Sequence, residues 1–112
     1  MLGLVLVVGV ACSSAPAESV PADAVVIDVR TPTEFAEGHL QGATNIDLQS
    51  GSFEQQVGEL ATDASYLVYC RSGNRSATAV EIMRGLGFTG VVDGGGLAAA
   101  AHSTGLPIVT GA

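Results

Sequence analysis

Lysine is absent from the chain, and four arginines face eleven acidic residues, for a formal net charge of −7. A protein this acidic, with no basic stripe, lacks the cationic surface that binds a nucleic-acid backbone or an anionic lipid leaflet. Tryptophan is also missing, and aromatic residues make up only 4% of the chain. Its core must come from Val, Ile, Leu and Ala, a composition suited to a parallel sheet buried on both faces. There are only two cysteines, Cys12 and Cys70, and neither has a second Cys or a His nearby in a zinc-ligand spacing. No metal and no cofactor is expected. A disulfide between the two is conceivable in an exported protein but is disfavoured, because their surroundings differ so strongly. Gly94-Gly95-Gly96 lacks the spacing and the following Lys of a nucleotide-binding loop. No internal repeat is present.

What remains is a 112-residue chain that is 47% hydrophobic, enough for one small α/β domain and against disorder. The apolar run Met1 to Ala11 is too short to cross a bilayer, which takes about 20 residues. It has the length of a signal-peptide core. Small residues before Cys12, then a Ser/Ala/Pro-rich stretch, resemble a bacterial lipoprotein signal. The lack of Lys or Arg before Cys12 departs from that pattern and is consistent with a true start upstream of Met1. A competing reading makes Met1 to Val10 a first buried strand, followed by an unusually long loop. The signal interpretation is favoured. It divides the chain into a signal-like segment (1–11), a lipidation cysteine at Cys12 with a flexible tether (12–22), and a folded domain (23–112). The protein is then exported and anchored to the cell membrane through lipid on Cys12, facing the extracytoplasmic side. Cys70 is left as the only free thiol.

In the body, Ala24 to Val29 is an apolar, β-branched strand. Thr31-Pro32-Thr33-Glu34 forms a capping box with proline at the first helical position, opening a helix from Pro32 to Glu37 that stops at Gly38. Asn45 to Asp47 is a short strand. Ser52 to Gln55 repeats the capping pattern ahead of a helix with Phe53, Val57 and Leu60 on one face. Tyr66 to Tyr69 is the central strand. Ala79, Val80, Met83 and Leu86 mark one helical face, with Met83 as core filler. Val91-Val92 is a strand, Asp93 to Gly96 a turn, and Leu97 to His102 a last helix. Strands alternating with helices imply a parallel sheet covered on both faces.

The chemistry concentrates at Cys70-Arg71-Ser72-Gly73-Asn74-Arg75-Ser76. A strand ends at a cysteine, a small polar loop follows, and a helix starts at once. Loop N–H groups and the positive end of the helix dipole converge on the thiol and favour the thiolate, a nucleophile near neutral pH. Arg71 and Arg75 place half of the chain's arginines here. Such a site handles an anionic sulfur or phosphorus group. Gly73 permits a backbone conformation that other residues resist, and Ser76 is a candidate helix cap. Asp28 and Arg30, at the carboxyl end of a strand, either border the loop or serve in a structural ion pair, for instance Arg30 with Glu34; the structural role is preferred. His39 is expected to make a structural hydrogen bond and His102 to be solvated.

Taken in order, Val26-Ile27-Asp28-Val29-Arg30, Glu34-Phe35, Gly38 to Ile46, the Cys70 loop, Gly95-Gly96 and Gly105-Leu106-Pro107 resemble a single-domain rhodanese from about Ala24 to Ile108. The resemblance implies a three-layer α/β domain with a central parallel sheet of four to five strands flanked by helices. It implies a thiosulfate sulfurtransferase that carries sulfane sulfur as a persulfide on Cys70, takes it from thiosulfate or a similar donor, and passes it to a thiol or cyanide. Arg71 is expected to contact the donor's sulfonate, and Arg75 to fix the loop or help hold the anion. Two departures stand out. Only Glu18 to Asp23 remain between the tether and the first body strand, where the family often has a further strand and helix. Ala98 to Ala101 replace a tryptophan often found after the Gly-Gly turn. A cysteine phosphatase places five residues between Cys and Arg, whereas four separate Cys70 from Arg75. A membrane-anchored, non-catalytic binding module and a persulfide sensor are the two remaining rival functions. A monomer is expected.

Overall fold

The computed structural model of the chain describes residues 20–112. Cys12, the signal-like segment and most of the tether lie outside the described residues. β1 (Val25–Asp28) and β4 (Ser65–Cys70) are the two apolar runs, and they pair in parallel with Val25 opposite Tyr66 and Asp28 opposite Tyr69. β3 (Thr44–Asn45) adds to the outside of β1, and β5 (Gly90–Gly96) to the outside of β4. The four-stranded sheet has the order β3-β1-β4-β5, entirely parallel, as the resemblance implies.

Alternation along the strands sends side chains to two faces. Ile27 and Val29 of the first run, with Tyr66, Val68 and Cys70 of β4, pack against α2 (Phe53–Val57) and α3 (Asn74–Gly85) through Phe53, Val57, Ala79, Val80 and Met83. Val26, Leu67 and Tyr69 face the other way, onto Leu40 and Ala100 of α4 (Leu97–Thr104). Cys70 therefore belongs to the α3 face, and Asp28, in register with Tyr69, to the α4 face.

α1 (Pro32–Glu37) has the expected bounds and a complete capping box: the Thr31 hydroxyl accepts from Glu34 N at 3.2 Å, and the Glu34 carboxylate accepts from Thr31 N at 3.0 Å. Three local expectations change. Ser52 makes no cap; its hydroxyl accepts instead from the Gln56 side chain at 2.7 Å. The buried stripe of α3 ends at Met83, because Leu86 is the residue that closes the helix and is 44% exposed. Asp93 to Gly96 is the second half of β5 and not a turn. The strand absorbs one extra residue at Gly94, so that Val68 and Tyr69 face Asp93 and Gly95. An antiparallel pair, β2 (His39–Leu40) with β6 (Ile108–Val109), closes the α4 side and has no counterpart among the elements expected from sequence. Among the described residues, no helix is long and apolar enough to cross a membrane.

Candidate active site at the Cys70 loop

Cys70 ends β4 fully buried. The chain then turns through Gly73, whose φ of +106° lies in the left-handed region that an L side chain resists, and enters α3 at Asn74. This turn brings Gly73 N to 2.9 Å from Cys70 Sγ, donating to the sulfur. Ser76, one turn into the helix and also buried, puts its hydroxyl 3.6 Å from the sulfur. Burial alone pushes the thiol up. The Ser76 hydroxyl, together with the backbone amides of Ser76, Gly73 and Ser72, outweighs burial and brings Cys70 below the ordinary cysteine value. The amide-lined cradle expected from sequence is thus formed by Ser72, Gly73 and Ser76.

β5 forms the floor under the loop. Ser72 bridges to Gly96, and a Cβ on Gly96 would sit 2.6 Å from the Arg71 carbonyl oxygen. Close backbone approach therefore explains the third glycine of the Gly94–Gly96 run.

Arg71, Ser72 and Asn74 are exposed to solvent, and of the three it is Ser72 whose backbone amide reaches the thiol. Arg75, in the first turn of α3, is paired with a carboxylate. Its guanidinium donates from Nη1 and Nη2 to the two oxygens of Glu34 at 2.8 and 2.9 Å, tying α3 to α1. The Arg75 guanidinium, with help from Thr31, holds the Glu34 carboxyl down at about 2. Ser76 is not the helix cap: that position is Gly73, and the Ser76 hydroxyl lies 3.0 Å from Gly73 O and 2.8 Å from Asp93 Oδ1.

Arg30 does not pair with Glu34. It chelates Asp28, with Nε 3.0 Å from Oδ1 and Nη2 2.6 Å from Oδ2, and a further Nη2 bond reaches Gly38 O. The pair is buried on the face opposite the thiol and lies over the Tyr69 ring, 5.6 Å from its centroid. Tyr69 in turn accepts from Leu40 N at 3.0 Å, and burial pushes its phenol up. Asp28 and Arg30 thus tie the end of β1 to the end of α1 at Gly38. His39 makes its structural bond, with Nδ1 2.8 Å from Phe35 O and its ring stacked on Phe35; His102 is exposed.

Sequence reasoning missed two residues at the site. Glu34 is read from the sequence as a capping residue and a possible partner of Arg30, whereas its actual ion-pair partner, Arg75, lies 41 positions away. Asp93, ahead of three glycines, has the pattern of a turn residue. Among the described residues, no group of His, Cys, Asp and Glu gathers to hold a metal ion.

Fold and site together define a class: a parallel α/β domain with a thiol held at a strand's carboxyl end by a loop of amide donors. The family model for the rhodanese-like domain matches residues 15–100, and the chain belongs to that family. Among its relatives is thiosulfate sulfurtransferase GlpE of Pseudomonas entomophila, 40% identical over 74 residues, a match covering 64% of this chain and 66% of the relative, just under two thirds. A sulfurtransferase of Allochromatium vinosum is 35% identical over 78% of this chain and 79% of its own length. A solved Escherichia coli structure, described as a rhodanese with anions, superposes with a TM-score of 0.66 at 34% identity, covering 78% of this chain and 98% of that one.

Proposed function

We propose that the chain is a sulfurtransferase that moves sulfane sulfur from thiosulfate or a similar donor to a thiol or cyanide through a persulfide on Cys70. The Cys70 thiolate attacks the outer sulfur of thiosulfate. A sulfur–sulfur bond forms as the donor's own S–S bond breaks, and sulfite leaves with the electron pair. The acceptor, a thiolate or cyanide, then attacks the terminal persulfide sulfur and returns Cys70 as thiolate. Negative charge stays on sulfur throughout, so fixed amide donors serve every stage. The observation that carries this reading is the Gly73 amide 2.9 Å from a buried Cys70 sulfur, at a loop too short for a phosphatase. Arg75 in a phosphatase-type loop must reach the phosphate, and here Glu34 occupies both of its terminal nitrogens. Thiosulfate:cyanide turnover by the wild type, absent in a folded Cys70→Ser variant, is the expected result. Turnover that survives the substitution overturns the assignment, as does phosphatase activity without sulfur transfer.

The apolar segment ahead of Cys12 and the small residues before it support export and lipid anchoring on the extracytoplasmic side. Full-length protein expressed in a bacterium is expected in the membrane fraction, carrying a lipid mass that Cys12→Ser removes. A soluble, unmodified wild type contradicts this part of the reading.

A further inference from the structure

The Ser76 hydroxyl carries one proton and stands within reach of three acceptors. Asp93 Oδ1 is nearest at 2.8 Å, Gly73 O is at 3.0 Å, and Cys70 Sγ is at 3.6 Å. A carboxylate at the shortest distance is the strongest competitor for that proton. Asp93 is exposed on its outer side but held in place, because Oδ1 also accepts from Gly95 N at 2.9 Å, beside the extra residue in β5. With Cys70 as thiol, the S–H donates to Ser76 Oγ and Ser76 donates to Asp93, a continuous chain from β4 through α3 to β5. With Cys70 as thiolate, the sulfur and the carboxylate compete for one proton.

We infer that Asp93 is a positioning residue that retains the Ser76 hydroxyl proton and thereby limits the hydrogen bond this serine gives the Cys70 sulfur. The thiolate then receives less from this hydroxyl than it would from an unshared one, and it keeps more of its basicity than a fully donated sulfur does. Thiol nucleophilicity rises with basicity, so this arrangement exchanges some thiolate population for a more aggressive sulfur. It also leaves Ser76 unchanged when charge moves outward to the terminal sulfur of a persulfide. The inference rests on Cys70 being the reactive thiol of the proposed function, but not on sulfur transfer.

The other charged groups around the thiol are Arg71 beside it, Arg75 on α3 with Glu34 from α1, and Asp47, which acts on Arg75. All remain in place in the test. The rate of Cys70 alkylation by iodoacetamide is followed against pH in the wild type, Asp93→Asn, Ser76→Ala and the double variant. In Asn the oxygen at the Oδ1 position still accepts from Gly95 N, so the end of β5 keeps its shape, but without its charge it holds the Ser76 proton more weakly. Asp93→Asn is expected to move the midpoint down by roughly half to one pH unit, the size of one hydrogen bond. It should also lower the high-pH plateau about two- to threefold, as a less basic thiolate reacts more slowly. In the Ser76→Ala background the same change should move the midpoint much less. An unchanged or raised midpoint in Asp93→Asn overturns the inference, whether or not Ser76→Ala folds. An equal shift in both backgrounds also overturns it, since that reports the carboxylate's field alone. Because alkylation needs no sulfur donor, absence of persulfide formation counts against the proposed function and leaves this test standing.

Discussion

Asp28–Arg30 and Glu34–Arg75 are both two-pronged ion pairs, yet they occupy opposite situations. The first is sealed beneath the ends of the sheet strands, with side chains 0% and 6% exposed. It joins β1 to the Gly38 carbonyl and to Tyr69 on the α4 face. The second is 22% exposed on each side and clamps the helix that follows the thiol loop to the helix that follows β1. In a chain with four arginines and no lysine, two of the cations are committed to carboxylates rather than to a ligand. The buried pair ties together elements of the α4 face, as a scaffold does, and the rim pair ties α3 to α1.

The sharpest way to break this contrast is to remove one partner of the buried pair. Asp28→Ala or Arg30→Ala leaves a buried charge uncompensated and is expected to cost about 3–5 kcal/mol, read as a lowered urea midpoint. A loss below about 1 kcal/mol contradicts the scaffold role. Glu34→Gln should separate the two pairs by observable. Its stability loss is expected to stay within about 1 kcal/mol. Sulfur-transfer kcat/KM should fall roughly fivefold as the loop loosens, the equivalent of about 1 kcal/mol in the barrier. Unchanged kinetics would remove Arg75 and Glu34 from any role in posing the loop.

Acid titration sharpens the same comparison with a smaller effect. The Glu34 carboxyl is held at about 2 in the folded chain against an ordinary 4.5. A group depressed in this way contributes stability above its unfolded value and loses it as pH falls toward the folded one. The difference in unfolding free energy between wild type and Glu34→Gln should therefore shrink between about pH 4.5 and pH 2. Solvent screening limits its full size to about 1 kcal/mol. A constant difference across that window contradicts the ion pair. The smallest expected effect is that of salt. Raising it to about 1 M shortens the screening length to about 3 Å and should remove a few tenths of a kcal/mol from the rim pair while sparing the buried one.

Legibility in the sequence followed the range of the interaction. The capping box at Thr31, the β-branched run of β1 and the loop after Cys70 are encoded within a few residues and fold as their local chemistry dictates. The fold class was readable for the same reason, since alternating apolar strands and capped helices leave few arrangements. Contacts between distant segments were not readable. Arg75 meets Glu34 across 41 positions of chain, a pairing that only the folded arrangement creates. Asp93 before three glycines looks like a turn in isolation, but pairing with β4 draws it into a strand. Two-residue strands such as β2 and β6 carry too little pattern to be seen until they meet.

Intact mass of the purified protein after incubation with thiosulfate, with and without Cys70→Ser, tests the persulfide chemistry most directly. The wild type should gain the mass of one sulfur atom, placed on Cys70 by peptide mapping and lost again on adding cyanide. A wild type that stays at its original mass, or a serine variant that gains the same sulfur, would contradict it.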